Sequence, residues 1–424
     1  MEFPIVCVAL TLVVLLILSV PIGVSIALSV AAGILAGDLP PEFLMQKMFL
    51  SLDSFPLVAV PFFILAGEIM QKGSMAGALL RVSRCLVGHI TGGMAHVSVL
   101  TCLFYGALSG SSPATVAAVG GIMIPAMEKE GYSKDFSAAV NTAGGCLGVM
   151  IPPSVPLIIY GTTANVSVGD LFIAGILPGI FIGVLLMILS YFMAKRLGYK
   201  GSGVRSSLRE TLSAVSEAKY ALLVPLIVLG GIYGGVTTPT EAGAIAVFYA
   251  FVVEGLYLRT LNFTKVKEIF RSAGVTNATI FLVVAAATAL GQILMIYNVP
   301  DVIVKLLSGV AQDRHLLLLL IIVILLIMGT FMDALANILI LTPLLLPLIT
   351  GAGINLTHFG IVMIVGVALG FLTPPVGVNL FVACGISGLS IQRLSYAVLP
   401  FLGVMILGLV VLAYVPAISL LLVR

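Results

Sequence analysis

Residues 149–156 read VMIPPSVP, and residues 371–379 read FLTPPVGVN. Each stretch places a Pro-Pro pair inside sequence that is otherwise strongly apolar, and Pro152 and Pro374 lie 222 residues apart (from 152 to 374). Proline has no backbone N–H and clashes with the preceding helical turn, so each pair predicts a membrane helix split into two half-helices. Irregular backbone at membrane depth persists only where it is buried or lines a cavity. The two breaks therefore predict the position of a binding site.

The same spacing relates other helix-breaking residues in the two halves of the chain: Pro125/Pro347, Gly131/Gly353, Gly148/Gly370 and Leu177-Pro178/Leu399-Pro400. A further match, Gly67-Glu68-Ile69 with Gly291-Gln292-Ile293, has a slightly longer offset. A duplicated hydrophobic sequence with interruptions in corresponding places is typical of secondary transporters. We interpret the chain as two repeats of one structural unit.

The composition predicts an integral membrane protein. Hydrophobic residues make up 60% of the 424 residues and charged residues only 9%, a balance that places membrane lipids around most of the surface. The net charge of +3 is small and dispersed, so it does not favour nucleic acid as a partner. The five cysteines are scattered without paired spacing and are interpreted as small apolar fillers.

A membrane crossing needs about 20 apolar residues, and both halves contain an odd number of such segments. In the first half they are 3–20, 22–38, 55–71, 137–165 and 170–194. In the second half they are 220–236, 240–258, 276–297, 359–388 and 395–422. The longer stretches 93–127 and 315–350 are interrupted by small and polar residues, and each is either a re-entrant hairpin or two full spans. We predict an all-α polytopic fold with about ten crossings and two hairpins.

An odd number of crossings per half requires the two halves to have opposite orientations. The predicted division is a first inverted repeat over 1–194, a basic connector over 195–219 and a second inverted repeat over 220–424. Placing the connector in the cytoplasm also places the basic segments 72–84 and 259–271 there, as the positive-inside rule requires. Both termini are then periplasmic. The broken helices are 137–165 and 359–388.

Four shorter segments are amphipathic and form either helices along the membrane interface or ordinary connecting loops. They are 40–52, 74–89, 262–274 and 299–312.

Residues 106–115, GALSGSSPAT, interrupt the first hairpin. Glycine, Pro113 and the hydroxyl residues do not continue a helix comfortably, so a turn here leaves backbone groups without intrahelical partners. The freed carbonyls, with Ser109, Ser111 and Ser112, are hard oxygen donors that suit an alkali cation. Free amides at the start of the next helix suit an anion. The alternative is that these small residues only allow helices to pack closely.

Residues 329–337, GTFMDALAN, occupy the equivalent place in the second hairpin. Asp333 and Asn337 lie four residues apart, which places them on one helical face within an apolar segment. An ionisable residue at that depth is costly unless it is paired. Asp333 is therefore predicted either to bind a cation or to hold the hairpin turn through hydrogen bonds.

Around the two breaks, the polar residues Ser154, Thr373 and Asn379 are predicted to face inward, with Asn141 earlier on the first broken helix. No Lys or Arg occurs within either hairpin turn or either break. The charge of an anionic substrate must then be met by amides, helix ends and bound cations. Glu68 and Glu241 are weaker candidates, and Glu241 is predicted to cap the start of a helix.

Enzymatic signatures are missing from the sequence. The four histidines form no HExxH pair, and no Gly-Lys-Ser/Thr phosphate loop occurs. These absences argue against a metalloprotease and against ATP hydrolysis. We predict that the chain is not an enzyme and carries no cofactor beyond a coupling ion.

The chain resembles the large membrane subunit of tripartite ATP-independent periplasmic (TRAP) transporters, the DctM-like family of the ion transporter superfamily. The motifs that carry the resemblance span nearly the whole length: GALSGSSPATVAAVG at 106–120, NTAGGCLGVMIPPS at 141–154, TTPTEAGAIAVFYA at 237–250, GTFMDALANILILTP at 329–343 and GFLTPPVGVNLF at 370–381. The resemblance implies an elevator mechanism, in which a transport domain containing both hairpins slides against a fixed scaffold.

The resemblance also implies Na⁺-coupled import of an organic acid anion across the bacterial inner membrane. The substrate classes are dicarboxylates, sialic acid or similar sugar acids, and 2-oxo acids. The implied partners are a soluble periplasmic substrate-binding protein and a small four-helix membrane subunit, expected here as a separate chain. The alternative is a stand-alone cation/dicarboxylate symporter of the same superfamily.

Carried over by motif, the implied Na⁺-binding residues are Ser109, Ser111, Ser112, Thr115, Asn141, Gly145, Pro152, Gly329, Asp333, Asn337, Thr373 and Gly377. The implied substrate-binding residues are Ser112, Pro113, Ser154, Thr373 and Asn379.

Overall fold

The computed structural model describes residues 3–18, 20–306, 313–374 and 377–423. All regular secondary structure within these ranges is helical. The all-α fold predicted from the apolar segments is therefore confirmed. Pro375, the second proline of the second break, lies outside the described residues, as does the end of the amphipathic segment 299–312.

The helices of the first half are α1 (Phe3–Ile17), α2 (Ile22–Gly37), α3 (Pro41–Leu52), α4 (Ala59–Lys72), α5 (Met75–Val87), α6 (Gly93–Ser109), α7 (Ser112–Lys129), α8 (Lys134–Gly145), α9 (Leu147–Met150), α10 (Val155–Ala164) and α11 (Val168–Leu197). A 3₁₀ turn at Phe55–Val58 leads directly into α4.

The helices of the second half are α12 (Leu208–Tyr233), α13 (Pro239–Val252), α14 (Phe263–Ile296), α15 (Val299–Leu306), α16 (Arg314–Phe331), α17 (Ala334–Gly351), α18 (Leu356–Gly370), α19 (Val378–Ser387), α20 (Ile391–Tyr414) and α21 (Ala417–Leu420). One π-helical turn, Val253–Tyr257, continues α13.

Several of these helices can cross a membrane. Eight helical segments of the described chain are long and apolar enough by length and composition, and the number is up to nine if a bent pair counts as one span. That pair, Lys134–Met150 with Val155–Ala164, bends by 42° at the first Pro-Pro break. Two of the eight are the arms of the second predicted hairpin, α16 and α17, whereas α1, α2, α18 and α19 are apolar but shorter. A polytopic protein is therefore confirmed, and the number of ten crossings stays a prediction.

Some helix boundaries differ from the predicted ones because local capping decides them. Ser207 and Glu210 form a capping box, so α12 begins at Leu208 and takes up part of the predicted connector 195–219. Asn262 caps α14, which consequently includes the amphipathic segment 262–274. The segments 40–52 and 74–89 contain the helices α3 and α5. Their position along the membrane interface stays a prediction.

The last predicted crossing, 395–422, is shorter in the structure than in the prediction. Helix α20 ends at Tyr414, and the short helix α21 follows Pro416. Proline interrupts the regular backbone hydrogen bonding there.

Each helical hairpin packs against the broken helix of its own half. Helices α6 and α7 turn at Gly110, which adopts the left-handed conformation with φ +58°. A Cβ atom placed on Gly106 would lie 2.9 Å from the Cα of Gly148, and one placed on Gly329 would lie 3.0 Å from the Cα of Gly370. Both contacts bring backbone against backbone. The hairpin turns therefore lie beside the helix breaks.

Candidate functional site

A cavity of about 460 Å³ lies where the hairpin turns meet α4 and α14. The lining includes Ser109–Ala114, Asp333–Leu335 and the start of α10. Glu68 and Gln71 of α4 and several residues of α14 complete it. Among the described lining residues, Glu68 and Asp333 are ionisable, and none is Lys, Arg or His. Any anion held here must be stabilised by backbone groups or by bound cations.

Two helix N-termini border this cavity without a side-chain cap. Ser111 precedes α7 and Ser154 precedes α10, and neither side chain accepts a hydrogen bond from the following helix. The Ser154 hydroxyl instead donates to the carbonyl oxygen of Val149 (2.7 Å), at the end of the preceding half-helix. The uncapped amides and the positive ends of two helix dipoles therefore meet at one cavity, an arrangement that favours an anion.

The second hairpin presents the opposite arrangement. The Asp333 Oδ1 atom accepts hydrogen bonds from the amides of Leu335 (2.6 Å) and Ala336 (3.0 Å), so Asp333 caps α17. Two roles were predicted for Asp333, and the structure shows one of them: its hydrogen bonds hold the hairpin turn. Its carboxylate also lines the cavity, and its role towards a cation stays a prediction.

Three oxygen atoms of the first hairpin turn lie close together. The Thr115 hydroxyl donates to the Ser111 carbonyl oxygen (2.8 Å), and the hydroxyl oxygens of Ser109 and Thr115 are 3.0 Å apart. Gly148 at the break packs directly on this cluster: a Cβ there would lie 2.3 Å from Thr115 Oγ1 and 2.6 Å from the Ser111 oxygen. These atoms are hard donors of the kind that bind alkali cations.

Asn337 contributes a buried oxygen that lacks a partner. Its Nδ2 atom donates to the carbonyl oxygens of Asp333 (3.0 Å) and Met332 (3.1 Å). Its Oδ1 atom is buried and has no hydrogen-bond partner among the described residues. Leaving a buried acceptor unpaired costs about 1–3 kcal/mol. Such an atom at a hairpin turn suits coordination of a cation.

Thr373 and Gly377, the other predicted residues of the second break, contact the backbone and side chains of the break itself. The Thr373 hydroxyl donates to the Leu369 carbonyl oxygen (3.2 Å). Gly377 has φ +46°, and a Cβ there would lie 3.1 Å from the Thr373 oxygen. Gly329 forms the close backbone contact with Gly370 described above.

Asn379 joins the two halves of the molecule inside the protein. Its Nδ2 atom donates to the Ser112 hydroxyl (2.8 Å) and to the Thr142 carbonyl oxygen (3.3 Å), and all three residues are buried. Ser112 borders the cavity, but Asn379 does not. The hydrogen bonds therefore connect the second break to the first hairpin, and a contact of Asn379 with substrate stays a prediction.

Asn141, Gly145 and Pro152 also pack away from the cavity. Asn141 accepts a hydrogen bond from the Ser98 hydroxyl (2.7 Å). A Cβ on Gly145 would lie 2.1 Å from Val116 Cγ2, so glycine allows α8 to approach α7 closely. Pro152 packs near Gly175 of α11. Their predicted roles as cation ligands are not tested by these contacts.

Glu68, a weaker candidate by sequence, is part of the site. It lines the same cavity as the hairpin turns, and its Oε1 atom accepts a hydrogen bond from the Ser272 hydroxyl (2.8 Å). Its counterpart Gln292 lines a separate cavity of about 400 Å³. The sequence does show that Glu68 is an ionisable residue in an apolar segment, which marks a candidate functional residue. Only the tertiary structure shows that Glu68 lines the same cavity as the hairpin turns. The predicted helix-capping role of Glu241 is confirmed.

Two cavities lie apart from these hairpin turns. One of about 620 Å³ is lined by residues 165–170 and 237–240 and by the 3₁₀ turn before α4. The cavity beside Gln292 shares Ser54 and Thr162 with it. Neither includes a residue of the turns at 109–114 or 333–335.

Comparison with known proteins identifies the chain. Residues 9–418 match the family described as "Tripartite ATP-independent periplasmic transporter, DctM component". The chain belongs to this family. The resemblance inferred from the motifs is thereby confirmed.

Two relatives illustrate the range of the family. The chain is 46% identical to the isethionate TRAP transporter permease protein DctMQ of Oleidesulfovibrio alaskensis, over 90% of this chain and 60% of that protein. It is 38% identical to the C4-dicarboxylate TRAP transporter large permease protein DctM of Pseudomonas aeruginosa, over 89% of this chain and 88% of that protein. The match thus spans less than two thirds of the first relative.

A solved structure shares the fold. The Alcanivorax borkumensis YdaH transporter superposes with a TM-score of 0.62 at 18% sequence identity, over 89% of this chain and 88% of that chain. At this identity the likeness supports the fold alone.

Proposed function

We propose that this DctM-family chain is the large permease subunit of a TRAP transporter that imports a small organic anion with Na⁺ across the bacterial inner membrane. One observation carries the proposal: two uncapped helix N-termini border a cavity of about 460 Å³ that lacks basic lining residues within the described chain. The names of two relatives give two candidate classes of small anion, isethionate and C4-dicarboxylates.

Sodium coupling has a physical reason in this cavity. An anion added beside Glu68 and Asp333 meets two carboxylates, so co-bound cations reduce the electrostatic cost. The oxygen cluster at Ser109, Ser111 and Thr115 supports a first cation site. The unpartnered Asn337 oxygen near Asp333 supports a second. Each net positive charge moved inward gains about 2.3 kcal/mol per 100 mV of membrane potential.

The proposed assembly is tripartite. A periplasmic binding protein delivers the substrate, and a small four-helix membrane subunit stiffens the scaffold. In the proposed elevator mechanism, the two hairpins and two broken helices move together as a transport domain against α4 and α14. The hydrogen bonds from Asn379 to Ser112 and Thr142 support this grouping, because they join the hairpin and broken helices of different halves.

Replacing Asp333 with Asn is expected to raise the Na⁺ concentration needed for half-maximal uptake by about tenfold or more. The amide oxygen of Asn still accepts hydrogen bonds from the start of α17, so the fold is retained. The lost negative charge weakens cation binding by more than the roughly 1.4 kcal/mol that corresponds to a factor of ten. Uptake into proteoliposomes with the partner subunits, measured against Na⁺ concentration, tests this.

Asp313→Asn is the matched control for Asp333→Asn. Asp313 caps the other end of the same hairpin by accepting hydrogen bonds from the amides of His315 (2.8 Å) and Leu316 (3.4 Å), and it is exposed. This variant is expected to keep the wild-type Na⁺ dependence. An unchanged Na⁺ response in Asp333→Asn would remove Asp333 from the cation site.

The stand-alone symporter of the same superfamily predicts a different result in the same assay. Na⁺-driven uptake is expected only when the binding protein and the small subunit are present. Uptake by this chain alone, with free substrate, would contradict the tripartite proposal and favour the symporter. Uptake that requires all components but does not respond to a Na⁺ gradient would instead contradict Na⁺ coupling.

A further inference from the structure

We propose that Glu68 selects substrates that carry a hydrogen-bond donor, such as a hydroxyl group, at the end opposite their anionic group, and rejects substrates with an anionic group at both ends. This inference rests on the proposed function, since it assigns a substrate class to the same cavity. The ligand class is a small monoanion with a distal hydroxyl. Glu68 is then a specificity-determining residue on the scaffold wall.

The position of Glu68 relative to the hairpin turn is fixed by backbone packing. A Cβ on the neighbouring Gly67 would lie 3.4 Å from the carbonyl oxygen of Leu108 and 3.5 Å from the Cα of Ser109. Helix α4 therefore lies directly against the end of α6. Glu68, one residue later, borders the same cavity as the uncapped start of α7.

The carboxylate of Glu68 is also oriented. The Ser272 hydroxyl of α14 donates to its Oε1 atom at 2.8 Å. A carboxylate has two oxygens and about four acceptor sites, and one donor leaves most of them available. Gln71, Thr276 and Thr279 also line the cavity, beside the apolar residues Ile64, Val275 and Ile280 of the same helices. The Glu68 carboxylate is therefore the strong acceptor that α4 and α14 offer to a hydroxyl group.

Glu68 and Asp333 both line the cavity, but their carboxylates are engaged differently. Asp333 caps α17 and is proposed above to hold a cation, whereas Glu68 accepts one hydrogen bond, from Ser272. The helix N-termini at this cavity attract an anionic group, and an anion bound there leaves the other end of a small substrate free to reach Glu68. A hydroxyl there donates to the carboxylate, whereas a second carboxylate or sulfonate meets like charge. Like-charge juxtaposition is a recognised way to reject a wrong ligand. The cavity therefore distinguishes hydroxy-monoanions from dianions of similar length.

Three probes test this inference on the purified full-length chain in Na⁺-containing buffer. Isethionate has a sulfonate and a distal hydroxyl, ethanesulfonate has the sulfonate alone, and succinate has two carboxylates. Binding of each is measured by calorimetry or by the shift in melting temperature, for the wild type, Glu68→Gln and Ser272→Ala. Glu268→Gln, an exposed carboxylate on α14, is the matched control.

The wild type is expected to bind isethionate about tenfold more tightly than ethanesulfonate, as a hydrogen bond to a charged group allows. Glu68→Gln is expected to reduce this preference severalfold and to strengthen succinate binding. Ser272→Ala keeps the negative charge of Glu68 but removes the hydrogen bond that orients its carboxylate. This variant is expected to reduce the isethionate preference without strengthening succinate binding. Glu268→Gln is expected to match the wild type.

Two results would overturn the inference while leaving anion transport intact. One is an isethionate preference that is the same in the wild type and Glu68→Gln. The other is that Glu68→Gln binds all three anions more tightly by the same factor. Glu68 would then repel any anion and would not select among them. If the wild type binds none of the probes in Na⁺, with or without the partner subunits, the proposed anion cavity fails and this inference fails with it.

Discussion

Replacing Gly370 with Ala is expected to abolish transport and to destabilise the protein by about 3 kcal/mol or more. The added Cβ would lie 2.3 Å from the carbonyl carbon of Gly329 and 2.4 Å from its Cα and oxygen. All three atoms belong to the backbone, so no side-chain rotation relieves the clash. Helices α16 and α18 must separate, and the second hairpin turn then moves away from the second break.

Two measurements check the effect of Gly370→Ala. The melting temperature is followed with a thiol-reactive dye, which reports the exposure of the buried residues Cys102 and Cys146. Uptake is followed in proteoliposomes. Gly385→Ala is the matched control, because apart from the neighbouring residues and backbone of α19 itself no atom lies within 4 Å of a Cβ at that glycine. Near-wild-type stability and uptake in Gly370→Ala would show that the α16–α18 contact is not required.

Replacing Glu254 with Ala is expected to lower the free energy of unfolding by about 3–5 kcal/mol. Glu254 lies in the π-helical turn after α13 and is fully buried. Its Oε1 atom accepts hydrogen bonds from the amides of Ser74 (2.9 Å) and Met75 (3.1 Å), and its Oε2 atom accepts one from the Thr260 hydroxyl. Alanine would leave the buried amide of Met75 without its acceptor and would remove the acceptor of the Ser74 amide and of the half-buried Thr260 hydroxyl.

The Glu254 carboxylate also explains a small residue in the first half. A Cβ on Gly73 would lie 2.1 Å from Glu254 Oε1. The connection between α4 and α5 is thus shaped around a side chain that follows it by 180 residues in the chain. Loss of this contact is expected to loosen α4, the helix that carries Glu68.

Glu210→Ala provides the comparison for Glu254→Ala. Glu210 accepts a hydrogen bond from the amide of Ser207 (2.8 Å) in an exposed capping box. Loss of an exposed cap typically costs about 1 kcal/mol. In thermal unfolding in detergent, the melting temperature of Glu210→Ala is expected to be slightly below that of the wild type. The melting temperature of Glu254→Ala is expected to be well below both. Equal losses in the two variants would mean that the buried carboxylate contributes no more than a surface cap.

The helix breaks and hairpin turns were predictable because their causes are local. Proline lacks an N–H wherever it occurs, so Pro152 ends one half-helix whatever surrounds it. Gly110 adopts a left-handed conformation that suits glycine, and Thr238 with Glu241 forms a capping box within four consecutive residues. The helix starts at Leu208 and Phe263 were less predictable, since polar caps outweighed the decline in hydrophobicity that had been used to place them.

The sequence by itself determined the class of fold, since an apolar segment of sufficient length must form a helix in lipid to satisfy its backbone. It also determined the breaks and the polar residues around them. Only the tertiary structure decided which polar residues face the cavity: Glu68 does, whereas Asn379 bonds to Ser112 inside the protein. Asn379 and Ser112 are 267 positions apart in the sequence, and the hydropathy around one of them does not predict contact with the other. Side-chain partners across helices depend on packing, which is set by close contacts such as that between Gly329 and Gly370.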